Sequence, residues 1–195
     1  MKAATRSYRM VERAESAAAT RSRILVCAER LTKTSSFDEI TLEEVAACAG
    51  TTVRTVLRSY GSKEGLLAAA LDAMGFNIGP TPIRPGETDT TLIALYDYYE
   101  KYGDMVIRWL ADEPRLPSLR AHLEAGRRDL RAGVELAFQP VLEKLAGSTR
   151  KETLDALIVG LDVYTWKLLR RDFGLGRKAA QSVARRIIAG LVEGG

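Results

Sequence analysis

Residues 41–67 read TLEEVAACAGTTVRTVLRSYGSKEGLL, and this run decides the fold. Thr41 with Glu44 has the spacing of a capping box, so a helix is expected to start here. Leu42, Val45, Ala46 and Ala49 recur at a helical period and give that helix a buried face. Gly50 tolerates positive φ and stops it. Thr51 or Thr52 can cap a second short helix. Val53, Val56 and Leu57 are its i, i+3, i+4 apolar set, expected to point inward or toward the turn. Arg54, Thr55 and Arg58 fall on its other sides. Gly61 ends this helix and Ser62 caps the next, which is expected to bury Leu66, Leu67, Ala70, Leu71 and Met74.

Working outward, Ile24, Leu25, Cys27, Ala28 and Leu31 form an upstream apolar stripe that ends before Thr34-Ser35-Ser36. Helices around one small core are therefore expected over residues 20–74. A pair of short helices at a tight turn, with a cation-rich outer face, is how a protein lays a helix in the major groove of DNA. On this reading Arg54, Thr55 and Arg58 meet base edges or nearby phosphates, arginine being suited to guanine O6 and N7. Thr41, Thr52, Tyr60 and Lys63 meet phosphates and set register, and Thr51 joins the candidate DNA-binding set. The plainer alternative is that a helix pair with a glycine turn is ordinary helical packing and its arginines are merely solvated.

The run resembles the TetR family of transcriptional regulators. The resembling residues are Arg23-Ile24-Leu25, Ala28, Leu31, the stretch Ile40-Thr41-Leu42-Glu43-Glu44-Val45-Ala46, Ala49-Gly50, and Arg58-Ser59-Tyr60-Gly61-Ser62-Lys63-Glu64 with Leu66-Leu67. They keep the family's spacing over about residues 20–74 without a gap. The resemblance implies a dimeric, ligand-responsive DNA-binding protein, usually a repressor, on a palindromic double-stranded operator. Two positions depart from the pattern. Leu57 stands where the family usually has Tyr or Phe, often a phosphate contact. Gly65 stands where a helix former is common and is expected to weaken a helix start by roughly 1 kcal/mol.

The composition is that of an ordinary soluble globular protein, 46% hydrophobic and 28% charged over 195 residues. The formal net charge of +4 is unevenly placed: residues 1–63 hold eleven Lys/Arg against seven Asp/Glu, and residues 64–195 hold eighteen of each. The excess lies in the segment expected to meet DNA, as an electrostatic footprint requires. Cys27 and Cys48, without a CxxC pattern or histidine partners, read as small buried hydrophobes rather than a disulfide or metal site. His122 is the only histidine. No metal site, cofactor or catalytic residue is expected, and no membrane span or leader, so the default is a cytoplasmic protein. The rival class, an all-helical enzyme or small-molecule carrier, needs a nucleophile–base pair, a metal set or a phosphate-cradling loop, and none is visible. Asp112-Glu113 reads as a solvated acidic face.

The fold expected is all-α: an N-terminal three-helix helix-turn-helix DNA-binding domain and a C-terminal helical ligand-binding and dimerisation domain. Residues 1–19 read as a flexible N-terminal arm, 20–76 as the DNA-binding domain and 89–195 as the helical regulatory and dimerisation domain. The boundary is the Gly/Pro-rich 75–88, GFNIGPTPIRPGET. Beyond it, helices are expected over about 89–112, with Gly103 a possible bend; over 118–145, kinked at Pro140; from a second capping box at Thr149–Glu152 to Phe173-Gly174; and over about 177–192. The stretch Tyr164–Gly174 is also similar to C-terminal segments of some family members. In that family the last two helices form a four-helix dimer interface, which here implies Leu157, Leu161, Leu168, Val183 and Ile187. The family's effector cavity lies among the middle helices, which makes Tyr99, Trp109 and Phe138 the candidates for an unidentified small molecule.

Overall fold

The structure, a computed structural model, describes residues 2–74 and 83–193. Its elements are α1 (Lys2–Thr34), α2 (Leu42–Cys48), α3 (Val53–Tyr60), α4 (Lys63–Met74), α5 (Thr88–Asp112), a 3-10 turn (Glu113–Arg115), α6 (Pro117–Ala137), α7 (Gln139–Leu142), α8 (Gly147–Leu161), α9 (Val163–Lys167), a π-helical turn (Leu168–Asp172) and α10 (Arg177–Glu193). The protein is all-α, with no strand among the described residues. No helix among them is long and apolar enough to cross a membrane. The expected Gly/Pro break lies outside the described residues over 75–82. The chain divides into two compact units, one of residues 1–75 with 112–119, the other of residues 76–111 with 120–195.

In the first unit the core shared by the four helices α1 to α4 is built from Ile24, Ala28, Val45, Ala46, Val56, Leu66, Leu67, Ala70 and Leu71, all buried. Thr41 and Glu44 make the full capping box on α2, and Thr52, of the two candidates, caps α3. Gly50 and Gly61 take φ of +60° and +79°, so each short helix ends on a left-handed residue.

Several expectations for this unit need correction. Of the arm expected over residues 1–19, residues 2–19 are part of α1. The chain has neither proline nor glycine before Gly50, and its Glu, Arg and Ala residues over 12–19 are good helix formers, so nothing stops the helix. Cys27 and Cys48 form a disulfide, with Cα atoms 5.9 Å apart. Two cysteines distant in sequence carry no local pairing signal, and only the packing of α1 on α2 brings them together. Leu57 is exposed rather than inward, leaving Val56 as the buried residue of α3. An eight-residue helix is too short to bury both neighbours against one core. Asp112 is buried rather than solvated, and its carboxylate accepts from the Phe37 amide at 3.0 Å and from Arg115.

The second unit packs α5 to α10 around Leu92, Leu95, Tyr99, Leu130, Val134, Phe138, Leu154, Leu157, Leu161, Trp166 and Ala184. Here too the boundaries shift. At Pro140 the expected kink is a break: α6 stops at Ala137 and α7 begins with Pro140 in its first turn. Helix α8 starts at Gly147, so Thr149 and Glu152 lie inside it and cap nothing. The long helix expected up to Gly174 is interrupted at Asp162, whose ψ of 157° is extended and whose side chain accepts from the Tyr164 amide to start α9. The aspartate competes with the helix for a backbone donor, and an apolar period running through it hides that break.

Candidate nucleic-acid interface

Helix α3 is amphipathic, with Val56 buried and Arg54, Leu57 and Arg58 exposed, so it keeps one face open to a partner. Arg54 and Arg58 are exposed on it, Thr55 is half-buried, and Leu57 is exposed as well. Beside α3, a groove of about 600 Å³ is floored by α1 and α3. Ser16, Ala17, Thr20 and Arg21 line one side of it, and Thr51, Thr55, Arg58 and Ser59 the other. Arg58 and Arg21 thus bring two guanidinium groups to a cleft edged with hydroxyls, a surface suited to phosphate oxygens.

The remaining sequence candidates divide by what already holds them. Thr52 accepts from the Thr55 amide at 3.3 Å, and the two hydroxyls lie 3.1 Å apart. Thr41 spends its donors locally, its amide and its hydroxyl each reaching Glu44 Oε2 at 2.9 Å. The Thr41 amide bond chiefly holds the Glu44 carboxyl below its usual range, so an anion sits beside a residue expected to meet phosphate. Tyr60 donates its hydroxyl to the Arg21 carbonyl at 2.8 Å, and the Arg21 guanidinium lies 4.8 Å from its ring centre. Burial pushes the Tyr60 phenol above its ordinary value, so it stays protonated in this bond. Lys63 donates to the Asp38 carbonyl at 3.2 Å.

Arg21 and Thr20 were not sequence candidates. Gly65 also acquires a reason. A Cβ built there would lie 2.3 Å from the Tyr60 carbonyl oxygen, so this position admits glycine where α4 starts under α3.

The effector candidates lie in different surroundings among the described residues. Tyr99 lines a small one of about 100 Å³ with Tyr98, Leu123, Leu130, Asp162 and Val163, and its own hydroxyl donates to the Leu161 carbonyl. Burial raises Asp162 above its usual carboxylate range there. Phe138 lines a different cleft of about 450 Å³ with Leu92, Pro140, Val141, Ile188 and Val192, rimmed by an ion pair of Arg185 with Asp89. Trp109 lines neither, being buried with its ring edge-on to His122.

Of the candidates for pairing two copies, Leu157 and Leu161 are core residues of their own unit, and Val183 is partly buried against that core. Leu168 and Ile187 are exposed. Further large exposed hydrophobics in the C-terminal part are Val159 on α8, Tyr164 on α9 and Phe173 after the π-helical turn, the last 64% exposed.

Two comparisons with known proteins bear on these geometries. Residues 24–70 match the model of the bacterial regulatory proteins, tetR family, which covers α2, α3 and the adjoining parts of α1 and α4. No curated protein matches the chain.

Proposed function

From a chain whose reading head is that of the tetR family of bacterial regulatory proteins, we propose a ligand-responsive transcriptional regulator, a repressor that binds a palindromic operator as a homodimer. The observation that carries the reading is the open face of α3, where Arg54, Leu57 and Arg58 are exposed beside a cation-edged groove. Such a helix can reach base edges with its arginines while Arg21 and Thr20 meet the backbone of the same strand. The role is regulatory rather than catalytic, and its setting is the cytoplasm. Two reading heads on a palindrome must stand one helical turn of DNA apart, about 34–36 Å, or a multiple of it.

The effector part of the proposal rests on the cleft beside Phe138, whose volume of about 450 Å³ falls within the range that holds small molecules. The homodimer rests on exposed Val159, Tyr164, Leu168, Phe173 and Ile187, large apolar side chains that an isolated unit would leave in water.

The deciding experiment is selection of duplexes from a random pool by the full-length chain, followed by titration with Arg54→Ala and Arg58→Ala. A recovered inverted repeat, bound less tightly by both variants with the fold intact by circular dichroism, supports the reading. Recovery of no motif, or equal affinity in both variants, rejects it.

A further inference from the structure

The bond between Cys27 and Cys48 sits at a mechanical position in the reading head. Cys48 is the last residue of α2, and the turn that follows it orients α3. Arg23, Cys27 and Arg30 lie at i, i+4 and i+7 on one face of α1, and all three hold that junction. Arg23 Nε donates to the Ala49 carbonyl at 3.3 Å, Cys27 bonds to Cys48, and Arg30 Nη2 lies 3.2 Å from Cys48 Sγ. Only the middle one of these three is covalent and reversible.

The two sulfurs are not equivalent. Cys27 is 7% exposed within the core, whereas Cys48 is half-buried and has a guanidinium at its sulfur. A cation beside a partly accessible sulfur favours its thiolate, the nucleophilic and oxidisable form, and a buried neighbour in bonding range is placed to resolve the oxidised product. In reducing compartments, cysteine pairs that do bond are usually redox-sensing rather than permanent.

We propose that Cys48 and Cys27 are a redox-modification site, the oxidised pair bracing the α2–α3 junction for DNA binding and the reduced pair releasing it. The oxidant is a peroxide. The Cys48 thiolate attacks a peroxide oxygen, giving the sulfenic acid and releasing hydroxide when the oxidant is hydrogen peroxide. The Cys27 thiol then attacks the Cys48 sulfur, forming the disulfide, and the sulfenic oxygen leaves as water with the thiol's proton. The reductant is a small thiol such as glutathione. Its thiolate attacks the accessible Cys48 sulfur, Cys27 leaves as thiolate and takes up a proton, and a second thiol resolves the mixed disulfide at Cys48. The inference rests on the DNA-binding reading for its consequence but not for its chemistry.

The test uses the full-length chain equilibrated in glutathione buffers from fully reduced to fully oxidised, and separately treated with hydrogen peroxide. Maleimide trapping and intact-mass measurement count the thiols, while fluorescence anisotropy follows binding to the duplex recovered by selection from a random pool. We expect both thiols to disappear together on oxidation and the reduced chain to bind about threefold more weakly, less than the tenfold that corresponds to 1.4 kcal/mol. Its melting midpoint should fall by about 10 °C, as loss of a native cross-link in a small domain implies. Cys48→Ser should show the reduced chain's affinity in every buffer. In the reduced chain, Arg30→Gln should slow iodoacetamide alkylation of Cys48 at neutral pH, while a fold-disrupting effect would instead speed it. Thiols that remain trapped at every poise overturn the redox pair. A pair that forms with affinity unchanged overturns its control of DNA binding, and an unchanged alkylation rate in Arg30→Gln overturns the activating role of that arginine. If neither form selects a duplex, the regulatory consequence falls with the DNA reading itself, and thiol counting still reports on the pair.

Discussion

Leu57 is the residue at which the family resemblance and the structure speak to each other most directly. It departs from the aromatic usual in that position, and it is 39% exposed on the open face of α3. A tyrosine could therefore replace it without disturbing the core, and its hydroxyl could donate to a phosphate that leucine cannot reach. Leu57→Tyr is expected to tighten binding to selected and scrambled duplexes alike by about 0.5–1.5 kcal/mol, the usual net value of one hydrogen bond. A loss confined to the selected duplex would show instead that Leu57 reads a thymine methyl. Arg54→Ala and Arg58→Ala should each weaken specific binding by about 1–3 kcal/mol if they touch base edges, measured by titration at fixed salt. At this scale the caps and the glycine stops could be read from Thr41, Glu44, Gly50 and Gly61, because their signals are local. The roles of Tyr60 and Arg21 could not, because the bond of the Tyr60 hydroxyl to the Arg21 carbonyl joins residues 39 apart in sequence.

At the scale of elements, α5 is locked to α9 and to the π-helical turn after it through one carboxylate. Glu100 accepts from Arg170, with Nη2 at 2.9 Å from Oε2, and from Trp166 Nε1 at 3.1 Å. The Arg170 bonds are the main reason that its carboxyl is drawn down to about 2. A depressed carboxylate contributes stability that is complete above its unfolded value near 4.5 and is lost as pH falls toward 2, at most about 3 kcal/mol here. Urea midpoints of the wild-type chain should fall through that window, and Glu100→Gln should flatten that part of the decline. Gly103 lies under the same tryptophan, where a Cβ would sit 2.4 Å from the ring of Trp166. It is a packing glycine rather than the bend its place in the sequence suggests. Gly103→Ala is expected to destabilise the chain by about 1–3 kcal/mol in denaturant titrations, the range for overpacking. The apolar periods of α5, α6 and α10 made these helices legible. What escaped was the interruption at Asp162 and the π-helical turn after α9, since an apolar stripe records which face is buried and not whether the backbone beneath it is continuous.

For the whole molecule, periodicity identified the C-terminal helices but could not divide their apolar residues between the subunit's own core and a second copy. Leu157 and Leu161 belong to the core, Leu168 and Ile187 to the surface, and both pairs share the same spacing logic. Leu168→Glu with Ile187→Glu is expected to yield folded monomers by sedimentation, because each places a charge where a partner would desolvate it. Leu157→Ala should instead lower stability by about 2–5 kcal/mol in denaturant titrations, the range for a leucine cavity. A wild-type chain that sediments as a monomer at micromolar concentration would remove the dimer from the proposal.

The first unit is finished by a segment synthesised well after its own helices. Its helical core is complete by Met74, yet the unit also holds residues 112–119. The buried Asp112 carboxylate takes the Phe37 amide, and Arg115 pairs with both Asp112 and Asp38. A buried amide left without that acceptor is costly. During translation at some 5–20 residues per second, the α1–α4 bundle therefore waits several seconds for the segment that finishes it. A ribosome-bound chain stalled before Asp112 clears the exit tunnel should be cleaved readily near Phe37, and one stalled beyond Leu119 should resist. Likewise, a fragment cut at residue 76 is an unfinished head, and a faithful minimal one must carry its returning acidic clasp.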